Sequence, residues 1–260
     1  MSTIKKDAKL PSSIKLLLFL ALFTLSALLT MFQPLWANIP LNIIIPALLL
    51  IFMEMVFFER LKLSTLICMR LLVVVTIFGL FSGTTCVKIV LVLWMINILE
   101  ATITDLSKKH YLNSITGFVL TISLFTFFTK QNLASWNGIY YSLFYNGTAG
   151  TICWIIAYTL WNWDFVSYDF PPSIAKLHLA VLASPIVGAL LTGNPGLWFI
   201  LRGNSLTAAG VTEIAFKKKI DKSLESERMT NFVEKVHAFP IQLSLMIINV
   251  LLVAIPAFVL

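Results

Sequence analysis

Charge is what this chain has least of. Asp, Glu, Lys and Arg make up 12% of its residues, about half of the roughly 25% usual in soluble domains. Hydrophobic residues reach 58% and the mean hydropathy is +0.90. A soluble fold of this length could not hide that surplus, so the solvent for most of the surface is expected to be lipid. Cysteine is scarce as well. Cys68, Cys86 and Cys153 stand singly in apolar runs without CxxC spacing, which predicts buried thiols and argues against a disulfide or a metal centre. Signatures of chemistry are also missing. HExxH, GxSxG, a Walker loop and an Asp-rich diphosphate motif do not occur, so no catalytic class and no cofactor is indicated.

What the chain does have is long apolar runs. Stretches of about 20 apolar residues fit the thickness of a bilayer core. Nine are present, at 14–36, 39–58, 63–83, 85–105, 112–129, 139–161, 174–193, 197–216 and 239–260. They predict an all-α, polytopic transmembrane bundle of about eight to nine spans, one domain over 1–260. The first run follows Lys5, Lys6, Lys9 and Lys15 and is longer than a signal-peptide core, so it is read as an uncleaved span. No internal repeat, low-complexity tract or soluble domain is evident.

Basic residues set the orientation. With the N-terminus in the cytoplasm, fifteen of nineteen Lys and Arg residues fall on the inner side. Lys62, Lys108, Lys109 and the run Lys217–Lys219 are among them. Lys88, Lys130 and Arg202 fall toward the outside, where long basic side chains reach headgroups, and Arg70 lies within the membrane. This asymmetry accounts for a net charge of +7 without nucleic acid. The segment 193–216 holds Gly193, Asn194, Pro195 and Gly196 at its start and Arg202, Asn204 and Glu213 inside. It reads as a broken or re-entrant helix. The charged stretch 217–238 reads either as a solvated cytoplasmic loop or as an amphipathic helix on the inner leaflet.

The polar residues within the spans are the functional signal. An ionised side chain in a membrane span costs about 2.5–3.5 kcal/mol on insertion scales, so it faces a bundle interior or water. At 1.5 Å per residue, Glu54, Arg70, Asn97, Glu100, Asn162, His178 and Glu213 come to similar depths on the lysine-rich side. Asn97, Glu100 and Thr104 share one helical face, and Arg70 is the expected counter-ion of Glu100 or Glu54. Trp154, Tyr158, Trp161 and Trp163 read as an interfacial aromatic belt or as the lining of an apolar site.

Three functions fit this pattern. The first is a small-solute or ion-coupled transporter-like protein with Glu100, Asn97 and Arg70 at its binding site. The second is a membrane enzyme acting on a lipid or isoprenoid headgroup, with Glu100, Asp105, Asp164 and His178 as acid–base groups. The third is an accessory or immunity-type subunit whose polar groups serve helix packing. The expected partners are the lipid bilayer, a small-molecule or lipid substrate and further copies of the chain. Short loops fit a bacterial inner membrane.

Overall fold

Leu17, Leu18, Leu22 and Leu25 of the first helix project outward, each more than half exposed. Ile51, Phe52, Ile122, Leu190, Leu191 and Phe258 do the same elsewhere. Water-facing surfaces rarely carry such contiguous apolar area. The computed structural model describes residues 10–125 and 134–259 and is 83% helical. Its helices are α1 (Ser12–Phe32), α2 (Ile45–Phe52), α3 (Phe57–Ile77), α4 (Gly83–Ser107) and α5 (Tyr111–Leu124). They continue as α6 (Gly147–Asp169), α7 (Pro172–Thr192), α8 (Trp198–Leu224), α9 (Glu227–Val236) and α10 (Phe239–Val259).

Four of these helices, α1, α4, α7 and α10, are long and apolar enough to cross a membrane. The count is smaller than the nine runs for identifiable reasons. The run 39–58 becomes a wide π-helical turn, Ile39–Ile44, followed by α2, which stops at Phe52. Pro40 and Pro46 lack the N–H groups a regular helix needs, and 14 helical residues reach only about 21 Å. α5 is equally short, and residues 126–129 of its run lie outside the described residues. α3, α6 and α8 are long enough, but their charged side chains lower the hydropathy.

The run at 139–161 is corrected more sharply. It opens as a hairpin of β1 (Ala134–Trp136) and β2 (Tyr141–Leu143), paired antiparallel through Ser135 and Ser142. Tyr141 and Leu143 are fully buried. Trp136 lies over Gly83, where an added Cβ would come within 2.4 Å of the indole. The hairpin therefore packs against the start of α4, the end away from the lysines.

The core is aromatic. Trp94, Trp154, Tyr158, Trp198 and Phe199 form a cluster with neighbouring ring centroids 4.9–6.2 Å apart, in the offset and edge-on geometries that ring quadrupoles favour. Trp154, Tyr158 and Trp161 are thus core residues. Of the two expectations for these residues, the interfacial belt does not fit their burial, whereas Tyr158 and Trp161 line an interior cleft; of the four only Trp163 is half-exposed.

Basic residues do gather at one end. Lys15 donates to the Ser223 carbonyl at 3.3 Å and Lys176 to Ser12 at 3.0 Å. Lys217 pairs with Glu59 and Lys108 with Asp169. These contacts join the starts of α1, α3 and α7 to the ends of α4, α6 and α8. The stretch 217–238 is no free loop. α8 runs on to Leu224, and α9 is amphipathic, burying Met229, Val233 and Val236 against the bundle.

Candidate functional site

The site is organised by α3 and α8, which run antiparallel. Glu59 meets Lys217 at 3.7 Å at one end of the pair. Eleven residues further along α3, about 16 Å, Arg70 donates to the Asn204 amide oxygen. The arginine also donates to the Ile200 carbonyl at 3.4 Å and to the Tyr141 hydroxyl at 3.3 Å. Gly203 makes this approach fit, because an added Cβ there would lie 2.7 Å from Nη2 of Arg70.

Three cavities that share lining residues follow this helix pair inward. At the lysine-rich end is a vestibule of about 720 Å³ bounded by Glu54, Glu59, Thr104, Lys108, Asp169 and Lys217. It shares Phe58, Glu59 and Phe170 with a smaller cavity of about 60 Å³ that holds Lys62, His178 and Glu213. That cavity in turn shares Lys62, Leu66 and Leu206 with a cleft of about 20 Å³ reaching Asn97, Tyr158 and Asn162.

Lys62 stands at the centre. Its ammonium lies 5.1 Å from the centroid of the Phe58 ring, a cation–π distance. No carboxylate lies within 4.0 Å of it among the described residues. His178 is buried, and neither ring nitrogen has a hydrogen-bond partner among the described residues. Asn97 accepts from Thr65 at 2.9 Å and donates to the Leu93 carbonyl at 3.1 Å. Asn162 accepts from Arg202 at 2.9 Å.

Arg202 overturns one expectation. It is 0% exposed rather than directed outward to headgroups. It donates to Asn162 and to the Val181 carbonyl at 3.3 Å, with its guanidinium 5.7 Å from the Tyr158 ring centroid. These acceptors engage its Nη1 and Nη2 groups, while its buried Nε has no partner among the described residues, and α8 is unbroken over 198–215. The helix breakers act before it instead. Gly193, at φ +63°, ends α7 in the left-handed conformation, and Asn194 caps the short turn at Pro195. The irregular residue is Phe216, at φ −128° and ψ 19°.

The seven expected site residues divide. Glu54, Asn97, Asn162, His178 and Glu213 line the three cavities. Glu100 is half-buried on α4 and accepts from Thr104 of its own helix at 3.4 Å. Arg70 lies beyond the cavities and forms no ion pair with Glu100 or Glu54 among the described residues. Its place on α3 aims it at α8 rather than α4, and its acceptors are neutral oxygens.

Sequence reasoning missed Lys62 and Arg202 as interior groups. The dip in hydropathy at Arg202–Asn204 was the available signal. The expectation for cysteine is also corrected: Cys86 is buried, whereas Cys68 is exposed and Cys153 half-exposed.

A second polar group sits beside the vestibule. Asp105, fully buried at the end of α4, accepts from Asn113 at 2.7 Å and lies 3.4 Å from Nδ1 of His110. Tyr168 is sandwiched between His110 and His237, with centroid separations of 3.8 and 3.7 Å. His237 also meets the Ser167 hydroxyl at 2.9 Å. Asp164 nearby accepts from Gln242 at 2.7 Å.

No known relative assigns a role to these residues. No family model, curated protein or solved structure matches the chain. The functional reading rests on the geometry alone.

Proposed function

We propose that the chain is a multi-pass protein of the cell membrane, transporter-like, moving a small solute through a chamber entered from the lysine-rich, cytoplasmic side. One observation carries this reading. A wide charged vestibule narrows through shared walls to a half-buried lysine and then to two asparagines backed by a buried arginine. Arg70 lies beyond the cavities on the same helix as Lys62, about 16 Å from Glu59. Ionisable groups within a membrane are expensive to maintain and mark substrate or ion pathways. The pair Leu66 and Leu206, common to both inner cavities, narrows the route and is the natural gate.

In this reading Lys62 and Glu213 bind the charged parts of the solute. Asn97 and Asn162 orient it, and Glu100 adjusts the charge on Lys62. Headgroup chemistry receives less support, because acid–base work calls for a carboxylate within hydrogen-bond reach of His178, and neither of its nitrogens has a partner among the described residues.

The test compares cells expressing the wild type with cells expressing Lys62→Gln or Glu213→Gln at equal protein levels. Metabolites in cells and medium are profiled, and the solutes that differ are then assayed for uptake in vesicles. The expected outcome is a redistributed set of small solutes that both variants abolish. A redistribution unaffected by either variant, or a changed lipid extract with unchanged solutes, would sink the transport reading.

A further inference from the structure

We infer that Asp105, His110 and Asp169 form a binding site for a divalent transition metal of the zinc or manganese class, at the rim of the vestibule. One ligand atom from each residue lies within 4.8 Å of the others. Their burial differs usefully. The Asp105 side chain is fully buried, that of Asp169 is 7% exposed, and that of His110 is 22% exposed. A mixed carboxylate and imidazole set of this kind suits zinc, manganese or iron better than magnesium or calcium, which prefer oxygen alone.

Geometry distinguishes this from a simple hydrogen-bond cluster. Nδ1 of His110 and Oδ1 of Asp105 are 3.4 Å apart, long for a charge-assisted hydrogen bond of about 2.7–2.9 Å. The same distance matches the edge of a tetrahedral set with metal–ligand bonds near 2.1 Å, which is about 3.4 Å.

The surroundings fix the ligands as the outer shell of a metal site does. Asn113 holds the other oxygen of Asp105 at 2.7 Å. Tyr168 lies flat against the His110 ring, 25° from parallel. Asp169 is at the end of α6, where its side chain can close the remaining distance.

Lys108 completes the picture. Its ammonium pairs with Asp169 at 2.7 Å while about half its side chain faces solvent. It is a cation already seated on one ligand, and it must yield when a metal binds. Three protein ligands leave a position for water or a solute from the adjoining vestibule.

The experiment uses the full chain in detergent, stripped with a chelator and titrated with Zn²⁺ alone by calorimetry. Bound metal is counted after dialysis. One Zn²⁺ per chain is expected. His110→Asn and Asp169→Asn should each weaken binding at least tenfold, and Lys108→Ala should strengthen it by removing the competing ammonium. Thermal unfolding of each metal-free variant shows that the fold persists. Should Asp105→Asn unfold the protein, the other three variants still decide. A folded wild type that binds no Zn²⁺, or binding indifferent to His110 and Asp169, would overturn the assignment. So would tighter binding of Ca²⁺ that survives His110→Asn.

Discussion

Gly203 is the residue on which Arg70 depends. The guanidinium is the far end of a flexible side chain, which would ordinarily move aside. Here three acceptors hold it in a buried position, and moving it strands donors that have no water to turn to. Gly203→Ala should therefore destabilise the protein by about 1–3 kcal/mol, the usual scale of overpacking. In an Arg70→Met background the same substitution should do much less harm. Thermal unfolding of the two single variants and the double variant measures the coupling; additive effects would show that Arg70 and Gly203 do not interact. This residue also shows what a sequence can convey. Depth along a helix follows from counting residues, and Arg70 is buried within the bundle. Its direction around the helix depends on which neighbour packs where, so Glu100 was a reasonable partner and the wrong one. Lys62 failed in the opposite way. Three residues after Glu59 and near a helix start, it resembled any interfacial lysine until the turn of α3 carried it over the cavity.

Helices were legible where one physical signal dominated. α1, α4 and α7 follow long, largely apolar runs to within a few residues of their expected bounds. The hairpin was not legible. Its turn, Asn137 and Gly138 with φ +97°, was present in the sequence, but Tyr140, Tyr141 and Leu143 blend into the hydropathy of the helix that follows. The stack of His110, Tyr168 and His237 was equally hidden, because it joins three distant parts of the chain. It has a consequence for pH. Burial is the main cause lowering both histidines below the ordinary value of 6.5. Asp169 opposes this at His110 while Lys108 reinforces it, and His110 itself lowers His237. A lowered folded-state pKa means that the unfolded chain takes up more protons as pH falls past 6.5. The contribution to stability is therefore complete above that value and is lost as pH drops toward the folded-state pKa. Unfolding temperatures of chelated protein should fall below about pH 6.5, and replacing both histidines with Asn should flatten that part of the curve. A fall in unfolding temperature that survives the double replacement would rule out the two histidines as its cause.

At the scale of the whole molecule, the decisive property is sidedness. Ion pairs and hydrogen bonds collect Lys15, Glu59, Lys108, Asp169, Lys176 and Lys217 at one end, and the hairpin closes against the start of α4 at the other. α6 joins the two ends, running from Gly147 beside the hairpin to Asp169 beside the vestibule. Its 23 residues extend about 34 Å, enough to span a hydrocarbon core. If the lysine-rich end is cytoplasmic, as positive-inside placement requires, the hairpin tip and the link between α8 and α9 must lie on opposite sides of the membrane. In a variant with Cys68, Cys86 and Cys153 replaced, Ile139→Cys should react with a membrane-impermeant thiol reagent in intact cells. Glu225→Cys should react only after the membrane is opened. The reverse pattern would turn the vestibule outward and make the chamber an entrance for external solutes. Labelling of both sites in intact cells would mean that α6 does not cross, and the route from Glu59 to Asn97 would then lie along a membrane surface rather than through it.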